Sequence, residues 1–229
     1  MGKIERPGAA LAVLTGLNVL NYLDRYIASA VLPLLLSGLS LSDSQGGMLQ
    51  SVFIVVYSLV SPLVGSLGDK RARLPLAVFG VLLWSAATFA SGLAQTFVVF
   101  LLARAIIGVG EASYAVITPS ILADLYPADR RARAMSIFYA AMPVGAALSY
   151  TIGGWVGTHY GWRTAFFIVG GPGIVLGLAL LALREPPRGR FDQGAASTPP
   201  GLRASFRALA ARPSFLYNTA AQTIYTLSL

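Results

Sequence analysis

Four ionisable side chains lie within segments of this chain that are otherwise apolar. Asp24 and Arg25 fall in the first such segment, and Arg104 and Glu111 fall in the fourth. An ionised side chain in hydrocarbon costs between about 2.5 and 17 kcal/mol, so a membrane protein that keeps four of them is expected to use them. A carboxylate can bind and release a proton, and arginine presents a rigid fork of donors to a phosphate or carboxylate. We therefore predict proton coupling by Asp24 and Glu111, and anion binding by Arg25 and Arg104.

The spacing of these residues predicts that they share one cavity. Arg104 and Glu111 are two helical turns apart and so lie on one helix face, while Asn21 and Arg25 belong to a polar stripe in the first segment. Asp24 and Glu111 reach a similar depth, near the middle of the bilayer. A proton on either acid would then free an arginine for an anionic cargo. The alternative is that the four residues form buried ion pairs that only fix helix packing.

Three further polar or aromatic side chains are candidate cargo contacts, together with Asn21. Gln50 and Tyr57 share one face of the second segment, and Tyr139 lies in the fifth. Each of these side chains also fits ordinary helix packing.

The composition predicts an all-α membrane protein. Mean hydropathy is +0.68 and 11% of residues are charged, against about 25% in a soluble domain. Inside lipid, only helices and closed barrels satisfy the hydrogen bonds of the backbone. The sequence lacks the alternating strands of a barrel, so helices remain. Six segments approach the roughly 20 residues that a spanning helix needs. They are Gly8–Leu36, Gly47–Leu67, Leu74–Leu93, Phe97–Ala123, Ala134–Val156 and Arg163–Leu183.

The basic residues follow the positive-inside rule. Of the 17 basic residues, 14 lie before the first segment, between the second and third, between the fourth and fifth, or after the sixth; the others are Arg25, Arg104 and Arg163. This places the N-terminus in the cytoplasm of a multi-pass cell-membrane protein. No basic stripe with interleaved aromatics is present, so nucleic acid is not an expected partner.

Catalytic and metal chemistry find little support in the sequence. The chain has no cysteine, and its one histidine, His159, lies in an outer loop. A serine hydrolase inside the membrane would need a nucleophile beside a base, and no such motif stands near Arg104 or Glu111. We predict neither an enzyme nor a bound cofactor or metal, with protons as the coupling ion. A channel or a non-transporting scaffold remains an alternative.

Three regions are predicted along the chain. Residues 1–183 form a six-helix bundle, residues 184–212 form a Pro- and Gly-rich cytoplasmic linker, and residues 213–229 begin a truncated seventh transmembrane helix. The last apolar run, Phe215–Leu229, covers 15 residues and is too short to cross the bilayer. We therefore expect a fragment whose partner is the missing C-terminal half of the same transporter. Matched glycines and arginines at the ends of the second and fifth segments favour two inverted three-helix repeats.

The loop GSLGDKRARLPL, residues 65–76, resembles a signature of the major facilitator superfamily. Gly65, Asp69 and Arg73 stand at the expected spacing, although Ala72 replaces a usual glycine. The resemblance implies that Asp69 and Arg73 form a gating latch on the cytoplasmic side. Asp124, at the end of the fourth helix, is predicted to join this latch.

Two other stretches resemble the Spinster branch of that superfamily. One is Asn21–Tyr26, with the sequence NYLDRY, and the other is Gly108–Tyr114, with the sequence GVGEASY. The resemblance implies proton-linked, alternating-access transport of an amphipathic anionic lipid such as a lysophospholipid or sphingoid phosphate. Symporters of small organic anions, such as sugar acids, share the charged residues of helices one and four, and that cargo is the alternative.

Overall fold

The computed structural model describes residues 7–191 and 202–227, so the predicted features of residues 1–6, 192–201 and 228–229 lie outside the described residues. The described residues form ten α-helices. They are α1 (Pro7–Ala30), α2 (Leu32–Gly38), α3 (Asp43–Lys70), α4 (Arg73–Ser91), α5 (Phe97–Leu125), α6 (Ala128–Tyr139), α7 (Ala141–Tyr160), α8 (Trp162–Leu180), α9 (Leu202–Ala210) and α10 (Pro213–Leu227).

Five apolar stretches among the described residues are long enough to cross a membrane, and α1 with α2 makes a sixth if that bent pair counts as one span. The α6 and α7 helices together form one of the five, Ala128–Tyr160. The predicted all-α bundle of six membrane helices is confirmed.

Prolines explain the two places where a predicted span consists of two helices. A proline inside a helix lacks an N–H and its ring clashes with the carbonyl four residues earlier. Pro33 follows the end of α1 at Ala30, where the chain bends by 56°. Pro143 stands four residues after Tyr139, the last residue of α6.

Glycines set the helix crossings that position the charged residues. A Cβ on Gly80 of α4 would lie 2.7 Å from the carbonyl oxygen of Gly110 on α5, so the two backbones touch. A Cβ on Gly145 of α7 would lie 2.6 Å from the Val19 carbonyl oxygen of α1. Small residues allow such close approach of membrane helices. Glu111 follows Gly110 directly and is therefore held in the centre of the bundle, where it is fully buried.

The chain divides into two compact units, the first ending at Gly194. Residues 184–191, in the first part of the predicted linker, belong to this first unit with α1–α8. The second unit contains α9, within the predicted linker, and α10, at the position of the predicted seventh helix.

Candidate functional site

The centre of the site is an ion pair between α1 and α5. Arg25 donates from Nη2 and Nε to Oε2 of Glu111, at 2.8 and 3.0 Å. The Glu111 side chain is fully buried, whereas the Arg25 side chain is 22% exposed. Oε1 of Glu111 is buried without a hydrogen-bond partner among the described residues. The pair is therefore incomplete, since one carboxylate oxygen is free to take a proton or another donor.

Aromatic rings surround the Arg25 guanidinium. Its Cζ lies 4.9 Å from the ring centre of Tyr22, 5.4 Å from that of Phe53 and 5.0 Å from that of Tyr57. Arginine is attracted to the face of an aromatic ring at such distances. The cation thus stands at the border between a polar contact and an apolar lining, which suits a ligand with both characters.

Arg104 occupies the second cationic position and is fully buried. It donates from Nη2 to Oε1 of Gln50 at 3.0 Å and from Nε to the Leu49 carbonyl at 3.4 Å. Its Cζ lies 4.7 Å from the ring centre of Phe53, so both arginines contact this one ring. Nη1 of Arg104 has no partner within the described part of the chain. Gln50 in turn donates to the Ser29 hydroxyl of α1.

Asp24 is 1% exposed and lies within electrostatic range of Glu111 and Arg104. Neither carboxylate oxygen has a hydrogen-bond partner in the described ranges. The carboxylate stands beside Trp84 and Thr88 of α4, whose Nε1 and Oγ1 atoms are likewise unpartnered there. Buried polar atoms are normally satisfied, and these donors of α4 face the Asp24 carboxylate closely enough for a small shift to pair them.

The structure brings together most of the predicted site. Arg25 and Arg104 both lie on the Phe53 ring, Arg25 also contacts Glu111 and Tyr57, and Arg104 contacts Gln50. Asp24 lies within electrostatic range of Glu111 and Arg104. Asn21 is buried among them on α1 and has unpartnered amide atoms in the described part of the chain. Tyr139 is 47% exposed and packs on Phe138 with ring centres 5.2 Å apart. No described hydrogen bond or ring contact joins Tyr139 to the charged residues, but it lies within electrostatic range of Tyr22 and Tyr57, which border Arg25.

A second cluster lies at the end of the bundle where the basic residues gather. Nη1 of Arg73, at the start of α4, lies 2.5 Å from Oδ2 of Asp124 near the end of α5. Its Nε donates to Oε1 of Glu185 at 3.1 Å, and its Nη2 donates to the Pro186 carbonyl at 3.1 Å. Arg73 therefore ties α4, α5 and the segment after α8 together.

Glu185 also caps the N-terminus of α4, although the two are far apart in sequence. Its carboxylate accepts from the main-chain N–H groups of Arg73 at 3.0 Å and Leu74 at 3.1 Å. Ala72, at the N-cap position, has no side chain able to do so. Burial alone would raise the pKa of Glu185, but these donors and the Arg73 guanidinium lower it below its usual value.

Arg188 closes the same end of the bundle. Its guanidinium donates to the carbonyl oxygens of Asp69 at 2.5 Å, Gly68 at 2.6 Å and Arg71. These carbonyls end α3, where the helix dipole is negative and favours a cation. The predicted latch residue Asp69 takes part through its main chain, because its carboxylate is exposed and has no ion pair among the described residues. Gly189 N–H completes the contact by donating to Oδ1 of Asp124 at 2.9 Å.

Two functional side chains escape sequence reasoning. Phe53 stands three residues after Gln50 and four before Tyr57, so the helical period of α3 could have found it. Glu185 carries no comparable signal, because the Pro-Pro-Arg-Gly context that follows it is typical of a solvated linker.

The sequence matches known transporters over nearly its whole length. The family model described as Major Facilitator Superfamily matches residues 14–229. Protein spinster homolog 1 of Homo sapiens is 40% identical over 221 residues, which are 93% of this chain and 42% of that protein. Protein spinster homolog 3 of Homo sapiens is 36% identical over 228 residues, covering 93% of this chain and 43% of that protein. The chain thus spans about two fifths of the length of the curated relatives that it matches.

Comparison with solved structures gives the same family. A bacterial homolog of the human lysosomal transporter Spinster, inward-facing and unoccupied, superposes with a TM-score of 0.78 and 31% identity. The match covers 92% of this chain and 50% of that one. A proton:xylose symporter superposes with a TM-score of 0.64 at 19% identity, which is a likeness of fold alone. The predicted Spinster-like resemblance is confirmed.

Proposed function

Because this chain belongs to the Major Facilitator Superfamily, we propose that it forms the N-terminal bundle of a proton-coupled transporter that works by alternating access. The proposed cargo is an amphipathic anionic lipid, such as a lysophospholipid or sphingoid phosphate. The bundle would work against a second bundle contributed by the C-terminal half. In the proposed orientation the N-terminus and the Arg73 cluster face the cytoplasm of the cell, as the distribution of basic residues favours.

The Arg25–Glu111 pair is the observation that carries the proposal. With both acids ionised, the charges of Asp24, Arg25, Arg104 and Glu111 cancel. One added proton leaves the cluster with a net charge of about +1, which is costly in a low-dielectric site unless an anion joins it. Protonation of Glu111 would also release Arg25, whose partly exposed guanidinium can then bind the anion. Proton and anion therefore favour each other's binding.

The surroundings of Arg25 support an amphipathic cargo. Tyr22, Phe53 and Tyr57 offer ring faces next to the cation, so a phosphate on Arg25 would continue into an apolar lining. A small sugar acid would leave these rings without a matching apolar group.

Uptake into proteoliposomes tests the proposal. The full-length protein is reconstituted with a pH gradient, and entry of a radiolabelled lysophospholipid is compared with entry of a hexuronate. Glu111→Gln keeps the shape of the side chain but removes its titration, and the matched control is Asp43→Asn, an exposed acid in the first turn of α3. We expect gradient-driven lysophospholipid uptake in the wild type and in Asp43→Asn, and loss of the gradient dependence in Glu111→Gln.

Two outcomes contradict the proposal separately. Unchanged gradient-driven uptake by Glu111→Gln would refute the coupling role of the central pair. Saturable uptake of hexuronate without lysophospholipid would refute the cargo and favour a small organic anion. Counterflow of preloaded cargo distinguishes a carrier from a channel, since an open pore does not show it.

A further inference from the structure

A cavity of about 430 Å³ lies between α1, α6 and the end of α5, separate from the central site. Its lining is Leu11, Tyr126, Arg130, Arg133, Ala134 and Ile137. Leu11 is about 20 Å along α1 from Asp24, at 1.5 Å per residue. The volume falls within the range of small-molecule pockets, which is about 300 to 1,000 Å³.

The two arginines of this cavity lie on one face of α6, three residues apart. Arg133 is exposed and has no hydrogen bond or ion pair among the described residues. Arg130 has only a weak pairing with the adjacent Asp129, at 3.7 Å, and both side chains are about three-quarters exposed (76% and 74%). Both guanidiniums are therefore available to the same anion, and each can offer two parallel donors to a phosphate.

Tyr126 adds a neutral donor to the cationic end of the cavity. It follows the last turn of α5 and is partly buried. Burial raises the pKa of its phenol, so the hydroxyl stays protonated and can donate to a phosphate oxygen.

The remaining walls are apolar and belong to membrane helices. Leu11 stands on α1, and Ala134 and Ile137 stand on the membrane-spanning stretch Ala128–Tyr160. The cavity thus has a cationic end at the boundary where basic residues gather and an apolar side along the helices. A soluble phosphate would use the first feature only, whereas a phospholipid would use both. Basic pockets at the ends of membrane helices bind anionic lipid headgroups in this way.

We propose that this cavity binds one anionic diacyl phospholipid of the adjacent membrane leaflet, with its phosphate on Arg130 and Arg133. One acyl chain lies along Leu11, Ala134 and Ile137. The site goes beyond the proposed transport cycle, because its ligand is a resident membrane lipid and none of the central charged residues takes part.

Native mass spectrometry of the full-length protein tests this site. The protein is titrated in detergent with phosphatidylglycerol or with phosphatidylcholine of the same acyl chains. The test variant is Arg130→Ala/Arg133→Ala, and the matched control is Lys70→Ala/Arg71→Ala, which removes two exposed cations from the same end of the bundle. Thermal unfolding midpoints within a few degrees of the wild type establish that both variants fold.

We expect the wild type to prefer phosphatidylglycerol, and the test variant to bind it about tenfold more weakly, as for loss of a charged hydrogen-bonding partner. The control should stay within about twofold of the wild type. Arg130→Lys/Arg133→Lys should retain part of the affinity, because a point charge replaces the planar fork. The loss of affinity caused by Arg130→Ala/Arg133→Ala should be equally large with and without Glu111→Gln, which separates this site from the proposed function.

Three results would overturn the proposal. Equal weakening by the test and control pairs would mean that surface charge alone attracts the lipid. An unchanged affinity in the test variant would place the lipid elsewhere. Displacement of phosphatidylglycerol by millimolar inorganic phosphate would show a site for free phosphate that does not need the apolar wall.

Discussion

Replacing Glu185 by alanine should release the segment that follows α8 while leaving the six-helix bundle folded. The carboxylate is the acceptor for three donors, the Nε and N–H of Arg73 and the N–H of Leu74. The Arg73–Asp124 pair, at 2.5 Å, does not involve Glu185 and remains in the variant. Among the hydrogen bonds of the described residues, this segment would keep those made by Pro186, Arg188 and Gly189.

The size of the effect follows from these three contacts. A hydrogen bond to a charged group contributes about 1.5 to 3 kcal/mol. Because the Glu185 side chain is 23% exposed, and water replaces part of each bond when the segment opens, we take about 1 kcal/mol for each of the three contacts. The total of about 3 kcal/mol corresponds to an open population about a hundredfold larger, at about 1.4 kcal/mol per factor of ten.

Limited proteolysis measures that population. Arg188 and Arg190 are sites for trypsin, and Arg188 is held on the carbonyls that end α3. When opening is fast compared with cleavage, the cleavage rate follows the open population. We expect cleavage after Arg188 and Arg190 to accelerate about a hundredfold in Glu185→Ala, with cleavage after Arg163 unchanged.

The matched control is Asp129→Ala. It removes an acid of the same charge from the same end of the bundle, but its pair with Arg130 is long, at 3.7 Å, and highly exposed. Such pairs contribute close to nothing. Cleavage should therefore stay within about twofold of the wild type. If both variants accelerate cleavage equally, or if Glu185→Ala has no effect, the capping role of Glu185 is wrong.

Three further predictions concern the same fold. Because the pKa of Glu185 is lowered in the folded protein, its contribution to the stability of this segment is present above the usual glutamate pKa of about 4.3 and is lost as the pH falls through the folded pKa. Hydrogen exchange of residues 185–191, normalised for the intrinsic exchange rate, should therefore rise below about pH 4. Glu185→Gln should abolish that rise. Gly80→Ala should destabilise the bundle by about 1 to 3 kcal/mol, since its Cβ would meet a carbonyl oxygen of α5 at 2.7 Å, whereas Gly47→Ala, with nothing within 4 Å, should not lower the thermal midpoint. Asn18→Leu should cost about 1 to 3 kcal/mol in the same assay, because the buried Phe138 carbonyl loses a donor at 2.9 Å; an unchanged midpoint would mean that another group replaces the amide.

Much of the central site could be predicted because charge in hydrocarbon is costly and rarely accidental. The helical period also placed Arg104 and Glu111 on one face, and the structure puts both at zero exposure. The sequence could not indicate which arginine pairs with Glu111. That choice depends on how α1 and α5 are rotated against each other, which the glycine contacts of α4 with α5 and of α1 with α7 determine.

The segment after α8 shows where composition misleads. Pro186, Pro187 and Gly189 prevent a helix, and the same residues are typical of solvated linkers. Absence of helix does not mean absence of contact, however. Glu185 and Arg188 bind main-chain groups at the start of α4 and the end of α3, and each contact joins groups more than a hundred residues apart in sequence. Only tertiary structure brings such groups together.

The joint between α6 and α7 has a mechanical consequence. Pro143 leaves the two helices meeting at Ala140, and Asn18 of α1 holds the Phe138 carbonyl just before that point. This bond ties α6 to α1 beside the joint. The arginines of the lipid cavity stand on α6 and its Leu11 wall stands on α1. The same bond therefore helps to fix the spacing of the two helices that line the cavity, and with it the width open to an occupant.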